Sequence, residues 1–412
     1  MKIYRNKTLG STLLVAGTQI GAGMLALPLT TGVTGFFYST ILFIVCFLFM
    51  LTSLFYLLEA NLMTTKVNAN LISMVKERLG PFGQLIAWLS FLLLLYAVAA
   101  AYLSGGGSLI AEVLSAGWKM DVSANVGVLL FLCVFGLIVV FGTRAVDVIN
   151  RLCMFGLAGS FLLLLIFVTP HVHWDHFSGG NPKYIWAAVP VVILSFTSHI
   201  IVPSLRTYLS GDVHKLRVSL FWGSLIPLFF YLVWESLIIG MLPLTGEYGL
   251  ESIGAAAHPV SGLTEALNHF LRVSWIATLV GLFSFFALVT SFFGVALSLY
   301  DFLADGFHIK KTVRGRFILL VMMFTPPLLF AFFYPRGFLL AIGYAGVFVA
   351  ILYGILPVLM VWKGRYIEKK QERFKVFGGK FLMLLMLLML VGSLFVIFFQ
   401  IAATRGWLPA LS

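Results

Sequence analysis

The stretch GTQIGAGMLALP, residues 17–28, places three glycines, a threonine and a glutamine inside an apolar run long enough to cross a bilayer. Glycine costs a helix about 1 kcal/mol per residue relative to alanine, so the pattern predicts a helix that comes apart here. Unwinding frees backbone N–H and C=O groups that lipid cannot satisfy, and these must face a cavity or a ligand. A second stretch of the same kind is IWAAVPVVILSFTSHIIVPSL, residues 185–205, whose centre holds Ser195, Phe196, Thr197, Ser198 and His199 between Pro190 and Pro203. For either stretch alone, glycine-mediated helix packing and hydroxyls bonded back to their own helix are an equally good account.

The chemistry such breaks support is binding. Half-helix N-termini offer N–H groups and partial positive charge to a carboxylate, and exposed carbonyls accept an ammonium group or a cation. A zwitterionic amino acid fits both ends. The candidate binding residues are Thr18, Gln19, Ile20, Gly21, Ala22 and Gly23 in the first stretch and Ser195, Thr197, Ser198 and His199 in the second. The glycines are expected to let a ligand approach the backbone, which a Cβ would prevent.

Three residues are candidates for handling a proton. His199 carries an imidazole whose usual pKa near 6.5 suits proton exchange; a neutral ring hydrogen-bonded within the bundle is the alternative. Glu59 and Glu235 are acids inside apolar runs, near the inner and outer interface respectively. Either can carry a proton or simply tether a helix end.

The elements that must position these residues follow from composition. Of 412 residues, 61% are hydrophobic and 10% charged, and the mean hydropathy is +1.04. A soluble domain needs a polar shell and cannot have this composition; repeated apolar runs of about 20 residues match the bilayer's hydrocarbon thickness. The chain reads as an all-α polytopic membrane protein with eleven spans, near 8–30, 36–62, 82–114, 124–142, 149–169, 184–205, 216–242, 270–303, 315–333, 338–361 and 380–403. The basic opening before the first run resembles a signal peptide, but no polar domain follows, so it reads as an uncleaved first span. Cys46, Cys133 and Cys153 fall in apolar runs and are expected as small core residues. The longest connection, 243–269, is expected to form a short outer helix.

The net charge of +12 does not point to nucleic acid. All but five of the 27 Lys and Arg, namely Lys119, Lys183, Arg272, Arg336 and Arg405, fall on alternate segments between spans. That asymmetry is the positive-inside pattern; it places the N-terminus in the cytoplasm and, with eleven spans, the C-terminus in the periplasm. The two glycine- and hydroxyl-rich stretches then lie on spans one and six, which run in opposite directions. The third span of each set is long. This is the pattern of a five-plus-five inverted repeat (8–169 and 184–361) followed by one extra helix (380–403), a single transporter domain over 1–403. In such transporters, substrate and coupling ions bind at mid-membrane between two discontinuous helices.

GTQIGAGMLALP is similar to the first-helix signature of the bacterial hydroxy/aromatic amino acid permeases. AAAYLSGGG (99–107), GTRAVDVINRLCMFGL (142–157), TSHIIVPSL (197–205), TSFFGVALSLYDFLADGF (290–307) and FYPRGFLLAIGYAG (333–346) resemble the same family, in order along the whole chain. The pattern is nearest to tyrosine permeases. The resemblance implies the LeuT-like fold of the amino acid–polyamine–organocation superfamily and proton-driven symport of an aromatic amino acid across the bacterial inner membrane, with tyrosine favoured over tryptophan. No cofactor is implied. An aromatic substrate wants ring contacts and one polar partner for a phenol, which Phe196, Tyr96 and Tyr102 are placed to supply. In sodium-coupled relatives of this fold, eighth-helix hydroxyls and first-helix carbonyls share a sodium ion; Thr290 and Ser291 keep that alternative open.

Two other classes compete. A channel needs a continuous polar pore, whereas the polar residues here cluster at two mid-membrane points. An enzyme needs paired acids, a ligand set or a nucleophile with its base, and the spans contain none of these. His171, His173, Asp175 and His176 in HVHWDH look like a metal site, but on a short exposed loop where zinc would bind adventitiously. The partners expected are a small-molecule substrate and the lipid bilayer; nothing in the sequence sets an oligomeric state.

Overall fold

A chain this apolar has to satisfy its backbone within each segment, which in lipid means helices. The computed structural model describes residues 7–21, 23–64, 69–118, 122–141, 143–271, 274–310, 312–334, 337–370 and 373–404, and among these it contains helices and no strand. Ala22 lies outside the described residues, as do Lys119, Arg272, Arg336 and Arg405. In chain order the helices are α1 (Lys7–Gln19), α2 (Gly23–Thr31), α3 (Phe36–Leu62), α4 (Leu71–Trp118), α5 (Ala124–Phe131), α6 (Leu137–Val140), α7 (Thr143–Val168), α8 (Ile185–Ser195), α9 (Val202–Tyr208), α10 (Val213–Met241), α11 (Leu250–Ala255), α12 (Pro259–Leu271), α13 (Ser274–Gly306), α14 (Val313–Phe333), α15 (Gly337–Val349), α16 (Leu356–Trp362) and α17 (Gly379–Thr404).

Among the described residues, eight helical segments are long and apolar enough to cross a membrane, and the bent pair α1–α2 makes a ninth. Shorter apolar helices at Ala124–Val139 and Gly379–Phe395 fall where the fourth and eleventh spans are expected. The segment expected at 82–114 starts earlier, because α4 takes in Leu71–Leu79 through a kink at Gly80, where φ is +81°. Only glycine adopts that conformation freely, and Pro81 supplies the next turn without needing a donor. The connection expected to form one outer helix forms two, α11 and α12.

The helices divide between two apolar cores. One is built largely on α2, α3, α8, α10, α15 and α16, through residues such as Leu25, Phe43, Leu57, Val192, Tyr231 and Val358. The other joins α4, α5, α13 and α14 through Leu103, Phe131, Phe292, Phe293 and Met323. α1 packs along α10, and α2 along α8. Cys46 and Cys153 are buried in these cores as expected, whereas Cys133 is exposed on the surface of the bundle.

Candidate functional site

Both predicted breaks are present. α1 stops at Gln19, and the direction of the helix turns by 52° before α2 continues. α8 stops at Ser195; Phe196 to Ser198 are non-helical, and a 3-10 turn over His199–Ile201 leads into α9. Two helix C-termini, each with carbonyls lacking intrahelical partners, therefore converge inside the bundle. One side chain serves both. The Tyr231 hydroxyl, from α10, lies 2.6 Å from the Gln19 carbonyl and 2.9 Å from that of Ser195, and shares its one proton between them. Gln19 crosses the same gap with its side chain, donating from Nε2 to Ser198 Oγ at 2.9 Å and to Ser224 Oγ at 3.1 Å. Its Oε1 is buried without a hydrogen-bond partner, a free acceptor beside the two carbonyls.

The glycines make room for neighbouring helices at the break. A Cβ on Gly21 would lie 2.5 Å from Ser291 Oγ, and one on Gly23 would lie 2.9 Å from Ser195 Oγ. These positions are small so that α13 and α8 can approach the break. Ile20 is half-buried against the core. Thr18 turns away from the break: it is exposed, and its hydroxyl donates to Val15 O at 2.7 Å.

Opposite, Ser195 and Thr197 donate back to Val191 O and Ile193 O, which leaves Ser198 to receive Gln19. Phe196 is wedged edge-on between Phe47 and Tyr231, with ring centroids 5.9 and 5.3 Å away, so it braces the break from behind. Of the two tyrosines expected to line an aromatic pocket, Tyr102 reaches the site and hydrogen-bonds Ser291. Tyr96 does not: its hydroxyl donates to Met322 O of α14 at 2.8 Å, within the second core. Thr290 donates to Phe286 O and Ala287 O of its own helix, so Ser291 alone of that pair faces the first break.

The three proton candidates separate clearly. Glu59 is fully buried, and its carboxylate is held by Arg365 through Nε and Nη2 and by the Val376 N–H at 2.9 Å. It is a structural ion pair anchoring the end of α3 and not a free proton carrier. Two further arginines act at the same helix end, Arg206 on the Asn61 carbonyl and Arg78 on that of Met63 and on Glu368. Cations at a helix C-terminus are favourable. His199 is buried at the second break, stacked on Tyr353 with centroids 5.0 Å apart; both ring nitrogens lack a partner. Glu235 is fully buried and meets the Thr31 hydroxyl at 2.5 Å.

A cavity of about 620 Å³ extends from Asn70, Thr207 and Tyr208 at the basic end of the bundle to Ile200 and Tyr353 beside the second break, with Phe91 and Phe302 in its wall. The opposite end is covered. There the Asn181 N–H donates to Val33 O at 3.1 Å, and Leu250 of α11 lies on Gly32. His171 bonds the Phe167 carbonyl through Nδ1, and among the described residues no three His, Cys, Asp or Glu side chains gather to hold a metal.

Sequence reasoning missed Tyr231, Ser224 and Tyr353. Ser224, Tyr231 and Glu235 share one face of α10 through spacings of seven and four, the helical repeat. That spacing was available in the sequence, but it lay hidden among the rings of PLFFYLVWES.

Comparison with known proteins agrees with this architecture. The chain is 38% identical to tyrosine-specific transport system 1 of Haemophilus influenzae (98% of this chain, 99% of the relative) and 35% identical to system 2 of the same organism (100% of both). It is 33% identical to the tryptophan-specific transport protein of that organism, covering 98% of each. The fold is similar to that of the Eremococcus coleocola manganese transporter, with a TM-score of 0.62 at 16% identity over 100% of this chain and 90% of that one. Residues 4–398 match the tryptophan/tyrosine permease family, and the chain belongs to it.

Proposed function

We propose that this protein imports an aromatic amino acid, tyrosine in preference to tryptophan, by proton symport with alternating access, as an eleven-span protein of the bacterial inner membrane with a cytoplasmic N-terminus. The observation that carries this reading is the convergence of two interrupted helices on the Tyr231 hydroxyl. Two carbonyls and Gln19 Oε1 gather acceptors for an ammonium group there, and the N-terminus of α2 at Gly23 offers donors to a carboxylate. Matching breaks in α1–α2 and α8–α9, on spans running in opposite directions, support the two repeats 8–169 and 184–361. The preference for tyrosine rests on the relatives named above.

The cavity at the basic end and the cover at the other support reading this as an inward-facing state. Phe91, Phe302 and Tyr353 give an aromatic side chain a ring-lined way out. Proton rather than sodium coupling is supported by the Thr290 and Ser291 hydroxyls, engaged with their own helix and with Tyr102. One charge crossing 100 mV gains about 2.3 kcal/mol, enough for a roughly fifty-fold gradient.

The test is uptake of labelled tyrosine into proteoliposomes under an imposed pH gradient or an imposed sodium gradient, with unlabelled Trp, Phe, Tyr and Ser as competitors. Uphill accumulation driven by the pH gradient and blocked best by tyrosine is expected. Accumulation driven by sodium alone removes the proton reading, and stronger competition by tryptophan removes the substrate preference.

A further inference from the structure

We infer that Glu235 is the residue that takes the proton from the outer solution, and that the outer end of the site closes only over the protonated acid; this rests on the symport reading above. Glu235 sits on α10, six residues from its outer end, and is 0% exposed. Facing it are the last residue of α2, Thr31, with Thr34 just beyond, and Ser39 from the first turns of α3, all fully buried. The hydroxyl network around the carboxyl group decides its state.

Thr31 Oγ1 lies 2.5 Å from Glu235 Oε1 and 2.6 Å from Leu27 O. A hydroxyl has one proton to give. An ionised Glu235 would take that proton from the Leu27 bond and still leave Oε2, which has no partner. A protonated Glu235 donates to Thr31 Oγ1 while Thr31 donates to Leu27 O, and the chain closes. The neighbouring hydroxyls are also engaged with backbone: Thr34 with Thr31 O at 2.6 Å, and Ser39 with Thr31 O and Gly35 O at 2.9 and 2.8 Å, so Ser39 has one proton to share between them and the carboxyl group. The donors within reach of a carboxylate, Thr31 and Ser39, are thus shared with backbone carbonyls.

No charge compensates the group. Among the described residues no cation is paired with Glu235, and the side chains acting on it are those of Thr31 and Ser39. α7 meets this part of α10 through rings, Phe161 against Phe230 and Trp234, and α1 meets it nearer the basic end at Ser219. The turn Trp174–Phe177, which brings Asp175 and His176, joins α10 at Gly240, where Val172 and Phe177 make the contact.

An uncompensated carboxylate is strongly disfavoured in such a setting. The contact between Thr31 and Glu235 bridges the outer half of the interrupted first helix and α10, so it forms when this end of the site closes. An open outer end exposes the carboxylate to water, where it accepts a proton; closing then buries the neutral acid. Protonation thus becomes a condition for occlusion, which is what links proton to substrate. Tyr231, one turn along the same face, leads from Glu235 to the breaks, the direction in which the proton must leave.

The experiment uses the full chain in proteoliposomes with labelled tyrosine. In the wild type, an inward gradient of one pH unit sustains about a ten-fold accumulation for one proton per substrate. Glu235→Gln, which stays neutral and still donates to Thr31, is expected to exchange internal for external tyrosine at every pH while its accumulation ratio falls to one. Wild-type accumulation with an unchanged pH profile in that variant overturns the inference. Should Glu235→Gln fail to reach the membrane or lose exchange, Thr31→Val decides. Without the acceptor for the acid, its half-maximal uptake moves to lower external pH, and an unmoved midpoint overturns the inference. A wild type indifferent to the pH gradient removes the symport reading and this inference with it, whereas a failure confined to the variants leaves that reading standing.

Discussion

The Tyr231 hydroxyl donates to the Gln19 carbonyl at 2.6 Å, across 212 residues of sequence. Gln19 O belongs to the last residue of α1, so this bond caps the end of an interrupted helix. Because the same hydroxyl also lies 2.9 Å from Ser195 O, the two breaks share one partner and their separation is set by one ring.

Replacing Tyr231 by Phe keeps the ring and removes the donor. The two buried carbonyls then lose the one donor they share, at a cost of about 1–3 kcal/mol. The variant is expected to reach the membrane, melt at lower temperature in detergent and take up tyrosine at least about ten-fold more slowly, since 1.4 kcal/mol is a factor of ten. Wild-type uptake would show that the shared cap is dispensable.

Gly21→Ala places a methyl group 2.5 Å from Ser291 Oγ, closer than van der Waals contact allows. Overpacking of this kind costs about 1–3 kcal/mol, and uptake should fall accordingly, with Gly21→Leu inactive. Adding Ser291→Ala removes the atom in the way and leaves a Cβ at 3.7 Å. Partial recovery in the double variant, measured as initial rate of uptake, is expected; a double variant as poor as Gly21→Ala would place the fault elsewhere.

Arg365→Met leaves the Glu59 carboxylate buried without its cation, which costs about 3–5 kcal/mol. Protein recovered from membranes should drop sharply. Glu59→Gln together with Arg365→Met should restore most of it, and uptake by that pair should keep the wild-type dependence on pH, because Glu59 serves as an anchor. Loss of pH-driven accumulation in the well-folded pair would return Glu59 to the proton pathway.

His199→Gln removes the ring stacked on Tyr353 without breaking a hydrogen bond, since neither ring nitrogen has a partner. Accumulation driven by a pH gradient is expected to persist, with any loss confined to the rate. A flat pH profile in this variant would make His199 the carrier instead of Glu235.

Tyr96→Phe tests the negative side of the site assignment. Its hydroxyl is spent on Met322 O, so the change should cost about 1 kcal/mol of stability and leave the KM for tyrosine unaltered. A raised KM would bring the ring back into the binding pocket.

What the sequence determined by itself is what depends on neighbours along the chain. Apolar runs of membrane length, the alternation of basic segments, and glycine or hydroxyl clusters inside those runs are local features, and they located both helix breaks within a residue or two. Gln19, Ser198 and Glu235 were visible for the same reason, as polar side chains where lipid or a packed core admits few.

Tertiary structure alone decided which of these residues meet. Each residue turns a helix by about 100°, so Tyr96 and Tyr102 on one helix face different cores, and Thr290 and the adjacent Ser291 face different neighbours. Pairings such as Arg365 with Glu59, 306 residues apart, depend on how whole helices are rotated and packed. No local pattern encodes that. Glu59 and Glu235 look alike in sequence, as lone acids in apolar runs. Only the fold sets an arginine against one and a set of hydroxyls shared with backbone against the other.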